Sequence, residues 1–122
     1  MFEKTITRLG RHAIAEFWDC DEEVLKDEQL LNTLFQAACT AAKATVLHSH
    51  FHKFGDGEGV TGVVVLAESH ASIHTWPEYK YAAIDVFMCG NCDPQIVISI
   101  IKKAMKAKIS DKIILQRGVF NN

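Results

Sequence analysis

Four extended segments follow one another at residues 45–54, 61–67, 73–76 and 81–88, with no room for a helix between them. Parallel neighbours need a crossover of a dozen or more residues, so connections this short dictate antiparallel pairing. Residues 61–67 (TGVVVLA) are β-branched and nearly all apolar, as a buried strand requires. The connections carry turn residues: Gly55-Asp56-Gly57-Glu58-Gly59 after the first segment and Pro77-Glu78-Tyr79-Lys80 before the last.

Two helical stretches bracket this meander. The acidic run Asp19-Cys20-Asp21-Glu22-Glu23 suits a helix start. From there to about Lys43, Leu30, Leu31, Leu34, Phe35, Ala38 and Ala42 recur at helical spacing, as one long amphipathic helix or a helical turn plus a helix. Asp93-Pro94 opens a second helix running to about Lys106, with Ile96, Ile100, Ile101 and Ala104 expected inward. Residues 11–18 alternate as a strand, with Ala13, Ala15 and Phe17 on one face and His12, Ile14, Glu16 and Trp18 on the other. Residues 112–117 read as a final edge strand. The order β-α-β-β-β-β-α-β predicts an α+β, two-layer α/β sandwich, a mainly antiparallel sheet with two helices on one face. Its other face is partly apolar, which invites a second subunit.

The chain has 122 residues, a length for one domain spanning 1–122. Its 48% apolar and 23% charged residues exclude a disordered chain. The balance of 13 Lys+Arg against 15 Asp+Glu argues against a general nucleic-acid binder. No apolar run is long enough to span a bilayer and residues 1–5 show no signal-peptide core, so the chain reads as cytoplasmic with Cys20, Cys39, Cys89 and Cys92 reduced. So small a domain has little interior for an active site, which must then lie at its surface or against a partner.

Three residue groups carry possible chemistry. Cys89-Gly-Asn-Cys92 lies between a strand and a helix. As a thioredoxin-like motif it lacks the βαβ context, and as half a zinc site it lacks a second pair, leaving two incidental thiols as the alternative. His48, His50 and His52 share one strand face but spread over about 13 Å, too far for one tetrahedral ion, so a polar surface face is expected and no metal. Residues 68–74 (ESHASIH) place a serine near two histidines, without the elbow that a Ser/His triad needs; a polar connection between strands is the competing reading.

The ordered set Glu68-Ser69-His70, Ser72-Ile-His74-Thr75-Trp76-Pro77-Glu78, Tyr81-Ala-Ala-Ile-Asp85 and Phe87-Met-Cys89-Gly90 closely resembles the short prokaryotic S-adenosylmethionine decarboxylases. Gly10-Arg11-His12 and Phe51-His52-Lys53-Phe54 extend the resemblance over most of the chain. It implies a proenzyme that cuts itself between Glu68 and Ser69, giving a β chain 1–68 and an α chain 69–122. Ser69 Oγ would attack the Glu68 carbonyl and turn the amide into an ester; β-elimination and hydrolysis would leave a pyruvoyl group in place of Ser69. That group, not pyridoxal phosphate, would capture the substrate amine as a Schiff base and act as electron sink. By the same resemblance His74 transfers a proton in processing and Cys89 is the proton donor in decarboxylation, with Cys92 a bystander. Phe54 would stack on the adenine and Glu78 bind the ribose hydroxyls of S-adenosylmethionine, yielding the aminopropyl donor of polyamine (spermidine) synthesis, in a homodimer.

Two departures stand out. Thr61 stands where the family has a serine assigned to processing; it keeps the hydroxyl but stiffens the side chain, which predicts slower processing. The glycine-rich loop is one residue longer and brings Asp56 and Glu58, which puts the register of Phe54 in question. Relatives on this scaffold decarboxylate arginine or ornithine, and acidic loop residues facing the pocket would suit such substrates. A non-catalytic metal or thiol module is the third reading.

Overall fold

The computed structural model describes residues 6–121. Its elements run β1 (Ile6–Thr7), β2 (Gly10–Trp18), α1 (Glu22–Leu25), α2 (Glu28–Ala41), β3 (Val46–Lys53), β4 (Val60–Leu66), β5 (Ser69–Trp76), a 3₁₀ turn (Pro77–Tyr79), β6 (Tyr81–Cys89), α3 (Pro94–Met105), β7 (Ile109–Arg117) and β8 (Phe120–Asn121). Six strands form one sheet in the order β3-β4-β5-β6-β2-β7, while β1 and β8 make a separate two-residue pair. All the pairings are antiparallel. The α+β sandwich expected from the short turns is the fold observed.

Each helix starts where a side-chain oxygen meets a free backbone donor. Asp21 accepts from Glu23 N at 3.0 Å, Asp27 from Leu30 N at 3.0 Å, and Asp93 from Gln95 N at 2.9 Å with Pro94 next. The acidic run therefore produces a helical turn plus a helix, the second option above. Between α1 and β5, the Thr75 hydroxyl accepts from Val60 N and donates to the Leu25 carbonyl, both at 2.8 Å, the only buried polar residue among those described.

One sheet face packs on the helices. Ala13, Ala15 and Phe17 meet Leu31, Phe35, Ala38 and Cys39 of α2 and Val97, Ile98, Ile101 and Met105 of α3 in one core. The inward face of α3 differs from expectation: Ile96 is 42% exposed while Val97 and Ile98 are buried. With Pro94 itself buried, the stripe runs 94, 97, 98, 101, 105, a helical period that turns Ile96 outward.

The opposite face is open. Ile14, Trp18, Val63, Val65, Trp76, Ile109, Ile113 and Leu115 are exposed on it. All six histidines lie there too: His48, His50 and His52 pair with Val65, Val63 and Thr61, His70 and His74 with Phe87 and Ala83, and His12 with Phe87 and Leu115. No helix among the described residues is long and apolar enough to cross a membrane.

Thr75→Val keeps shape but orphans Val60 N and the Leu25 carbonyl. In a Ser69→Ala background, which lacks the hydroxyl expected to drive backbone cleavage, it should cost about 2 kcal/mol or more in urea denaturation; an unchanged midpoint would show that the tie contributes nothing.

Candidate active site

Leu66 and Ser69 close the β4–β5 hairpin, so the connection is Ala67-Glu68 alone. The strand therefore begins at Ser69, four residues before the expected residue 73. Glu68 sits at φ +59°, a left-handed conformation that costs a non-glycine residue about 1 kcal/mol or more. The peptide expected to break thus follows a strained residue. Ser69 Oγ accepts a hydrogen bond from Cys89 N at 3.1 Å, which sets the serine beside the end of β6, and its own proton meets no acceptor among the described residues.

The residues Gly10-Arg11-His12 each serve this end of the sheet. A Cβ at Gly10 would stand 2.8 Å from the Met88 carbonyl oxygen and 2.9 Å from the Phe87 ring, so only glycine lets β2 reach Cys89. Arg11 donates to the Cys92 carbonyl at 3.0 Å and lies 3.8 Å from Asp93, fixing the turn after Cys89. The Cys92 thiol lies 3.7 Å from the Lys43 carbonyl and packs against the core. Cys20 and Cys39 are buried, and burial pushes both thiols up to about 11, so they offer no partner pair for a zinc site.

His12 and His70 both place Nε2 on Asp85 Oδ2, at 2.7 and 2.9 Å, and the Ser72 hydroxyl donates to Asp85 Oδ1. Two imidazoles and a carboxylate converging in this way match a metal-ligand set. The hydrogen bonds argue otherwise. Arg117, which only donates, lies 3.0 Å from His12 Nδ1; that nitrogen must accept, so Nε2 carries the proton and has no lone pair for a cation. In this arrangement the cluster is a hydrogen-bonded network with a guanidinium at its end. Its members alternate onto one face of three strands, but only the register brings them together. No role for His12, His70 or Asp85 is legible from spacing.

The remaining candidates gather elsewhere. Thr61 pairs with His74 across β4 and β5, with Thr61 Oγ1 3.1 Å from His74 Nδ1. They border a cavity of about 240 Å³ whose walls also include Phe54, Trp76, Glu78 and Glu58. Phe54 follows β3, is 64% exposed and sets its ring edge-on to His52 at 4.7 Å, so it lines the cavity and does not end a core strand. Trp76, 6.4 Å from the His74 ring, is a wall residue to which no role is assigned above. Ser69 and His74 stand five residues apart on one strand, about 16 Å. Within one chain the residues divide into a Glu68–Ser69–Cys89 group and a Thr61–His74–Glu78 group.

Burial pushes the Asp85 carboxyl up, but the hydrogen bonds from Ser72, His12 and His70 outweigh it and hold the carboxyl below its ordinary value. The stability this contributes is present above the ordinary Asp value, about 3.9, and is lost as pH falls through the lower folded value. Asp85→Asn should therefore flatten acid denaturation below about pH 4; an unchanged acid limb would remove Asp85 from that role.

The S-adenosylmethionine decarboxylase family model matches residues 11–118. Proenzymes of this name from Thermotoga petrophila and Bacillus cytotoxicus are 48% and 44% identical, each over 93% of this chain and 87% and 88% of their own length. The crystal structure of the adenosylmethionine decarboxylase from Aquifex aeolicus superposes with a TM-score of 0.85 at 34% identity, covering 93% of this chain and 94% of that one. With the fold, the Glu68-Ser69 turn and these matches in hand, the chain belongs to the S-adenosylmethionine decarboxylase family.

Proposed function

We propose that this chain is a self-processing, pyruvoyl-dependent S-adenosylmethionine decarboxylase of the cytoplasm, supplying the aminopropyl donor for polyamine synthesis. The observation that carries the reading is the Ser69 hydroxyl, held by Cys89 N at 3.1 Å directly after a left-handed Glu68. Relatives at 44–48% identity bear the proenzyme name, which favours this substrate over arginine or ornithine.

The residues fit a pyruvoyl group made from Ser69. Strain at Glu68 raises the energy of the intact turn, and the free Ser69 proton can leave as Oγ adds to the Glu68 carbonyl. The Ser69 amide nitrogen becomes an amine as the ester forms. Elimination across Ser69 Cα–Cβ expels the Glu68 carboxylate, and hydrolysis releases ammonia to leave the ketone. Once formed, the group withdraws electrons from the substrate α-carbon as CO₂ departs. Cys89 on the adjoining strand is then the thiol nearest to return a proton. His74, partnered by Thr61 Oγ1, serves proton transfer during cleavage, Glu78 takes the ribose hydroxyls and Phe54 the adenine face.

The 16 Å between Ser69 and His74 forces a second element into the proposal: the complete site is shared between two chains. A two-fold axis lying in the interface plane and crossing β5 midway would stack each Ser69 end over the partner's His74 end. The open sheet face, with its exposed Ile14, Ile113, Leu115 and Val63, supplies apolar surface for that contact.

Intact mass should show chains 1–68 and 69–122 with a pyruvoyl terminus, and Ser69→Ala should remain whole. Ser69→Ala co-expressed with His74→Ala should regain about a quarter of wild-type decarboxylation, since half the dimers are mixed and half their sites are complete. No recovery would place both residues in one chain's site. Cys89→Ala should cleave yet lose decarboxylation, with Cys92→Ala normal in both; the reverse ranking would exchange the thiols. CO₂ release from arginine or ornithine and none from S-adenosylmethionine would overturn the substrate.

A further inference from the structure

The glycine-rich loop places its two acids differently. Asp56 borders an open surface groove away from the cavity, among Lys26 and Lys53 but also Glu23, Asp27 and Glu28. Glu58 borders the cavity with Glu78, His74, Phe54 and Trp76, and no lysine or arginine lines that cavity among the described residues.

The backbone that carries Glu58 is held in place. Its own N–H donates to the Gly55 carbonyl at 3.1 Å, and Phe54 N donates to the Gly59 carbonyl at 3.1 Å. The next residue, Gly59, lies so close to β5 that a Cβ there would stand 2.2 Å from the Thr75 carbonyl oxygen. Val60 is then pinned by Thr75 Oγ1 at 2.8 Å. The Glu58 backbone is therefore fixed from both sides, at the cavity wall.

Two acidic residues, Glu58 and Glu78, and two aromatic ones, Phe54 and Trp76, line this cavity of about 240 Å³. The ribose diol occupies one carboxylate, which the proposed function assigns to Glu78. A second, in a cavity that no lysine or arginine lines among the described residues, has no fixed cation opposite it until one enters. We infer that Glu58 is a specificity-determining residue that recognises the fixed positive charge of the substrate, a sulfonium centre. This rests on the decarboxylase reading. A sulfonium ion has no hydrogen to donate, so the attraction is Coulombic and salt-sensitive, and it separates a charged ligand from a neutral one of the same shape.

The test compares two competitive inhibitors, 5′-deoxy-5′-dimethylsulfonioadenosine and its neutral counterpart 5′-deoxy-5′-methylthioadenosine, against the cleaved enzyme. Wild type should prefer the cation, and Glu58→Gln should lower that preference by about three- to fivefold, the upper part of the range for a solvent-exposed pair. Binding of the neutral thioether should not move. KM for S-adenosylmethionine should rise by the same factor with kcat within about twofold, and the effect should shrink in high salt. Glu58→Asp should retain part of the preference, and Asp56→Asn all of it. An unchanged preference in Glu58→Gln, or equal weakening of both inhibitors, overturns the inference while leaving the decarboxylase reading intact. A wild type that releases no CO₂ from S-adenosylmethionine overturns both.

Discussion

The two-residue period of the strands is the constraint on which everything else rests. Alternation sends Ala13, Ala15, Phe17, Ala71, Ile73, Ile84 and Val86 toward the helices and leaves His12, His70, Ser72, His74, Asp85 and Cys89 on the other side. A domain of this size has only one core, and the helices fill it. The candidate site residues therefore stand at the sheet's uncovered face and the ends of its strands. The proposed sharing of that surface by two chains answers the shortage of interior.

The strained hairpin and the cavity depend on different ends of the same two strands. At one end, the tight Ala67-Glu68 turn and the Gly10 approach hold Ser69 against Cys89. At the other, Thr75 binds α1, β4 and β5 together, and its hydroxyl anchors the loop that carries Glu58. Both ends are rigid because they are tied to sheet and helix, which suits groups whose positions must hold within a fraction of an ångström.

Much of the fold was legible in the sequence because turn residues and period agree. Pro77 and the glycine loop delimit strands, and Asp93-Pro94 starts α3 where a cap and proline would. The limits of β5 and β7 were harder to read. Ser69, His70 and Ser72 hide a strand whose inward positions are only Ala71 and Ile73, and Ser110, Asp111 and Lys112 disguise an edge strand exposed on both sides. Ser69, His74, Cys89, Thr61, Glu78 and Phe54 were nameable from resemblance alone. Their division into two groups was not, since distance along a strand becomes meaningful only when the strand's extent is known. Glu58 and Asp56 look alike in sequence; the anchoring of Gly59 separates them.

Arg117 gives the edge strand β7 an unexpected office. As the donor to His12 Nδ1, it dictates which nitrogen of that ring bears hydrogen, and so which way the proton points along the line to Asp85 and His70. Without that guanidinium, the His12 ring is free to adopt either tautomer. The edge strand thus sets the proton pattern of a trio of side chains that three other strands assemble.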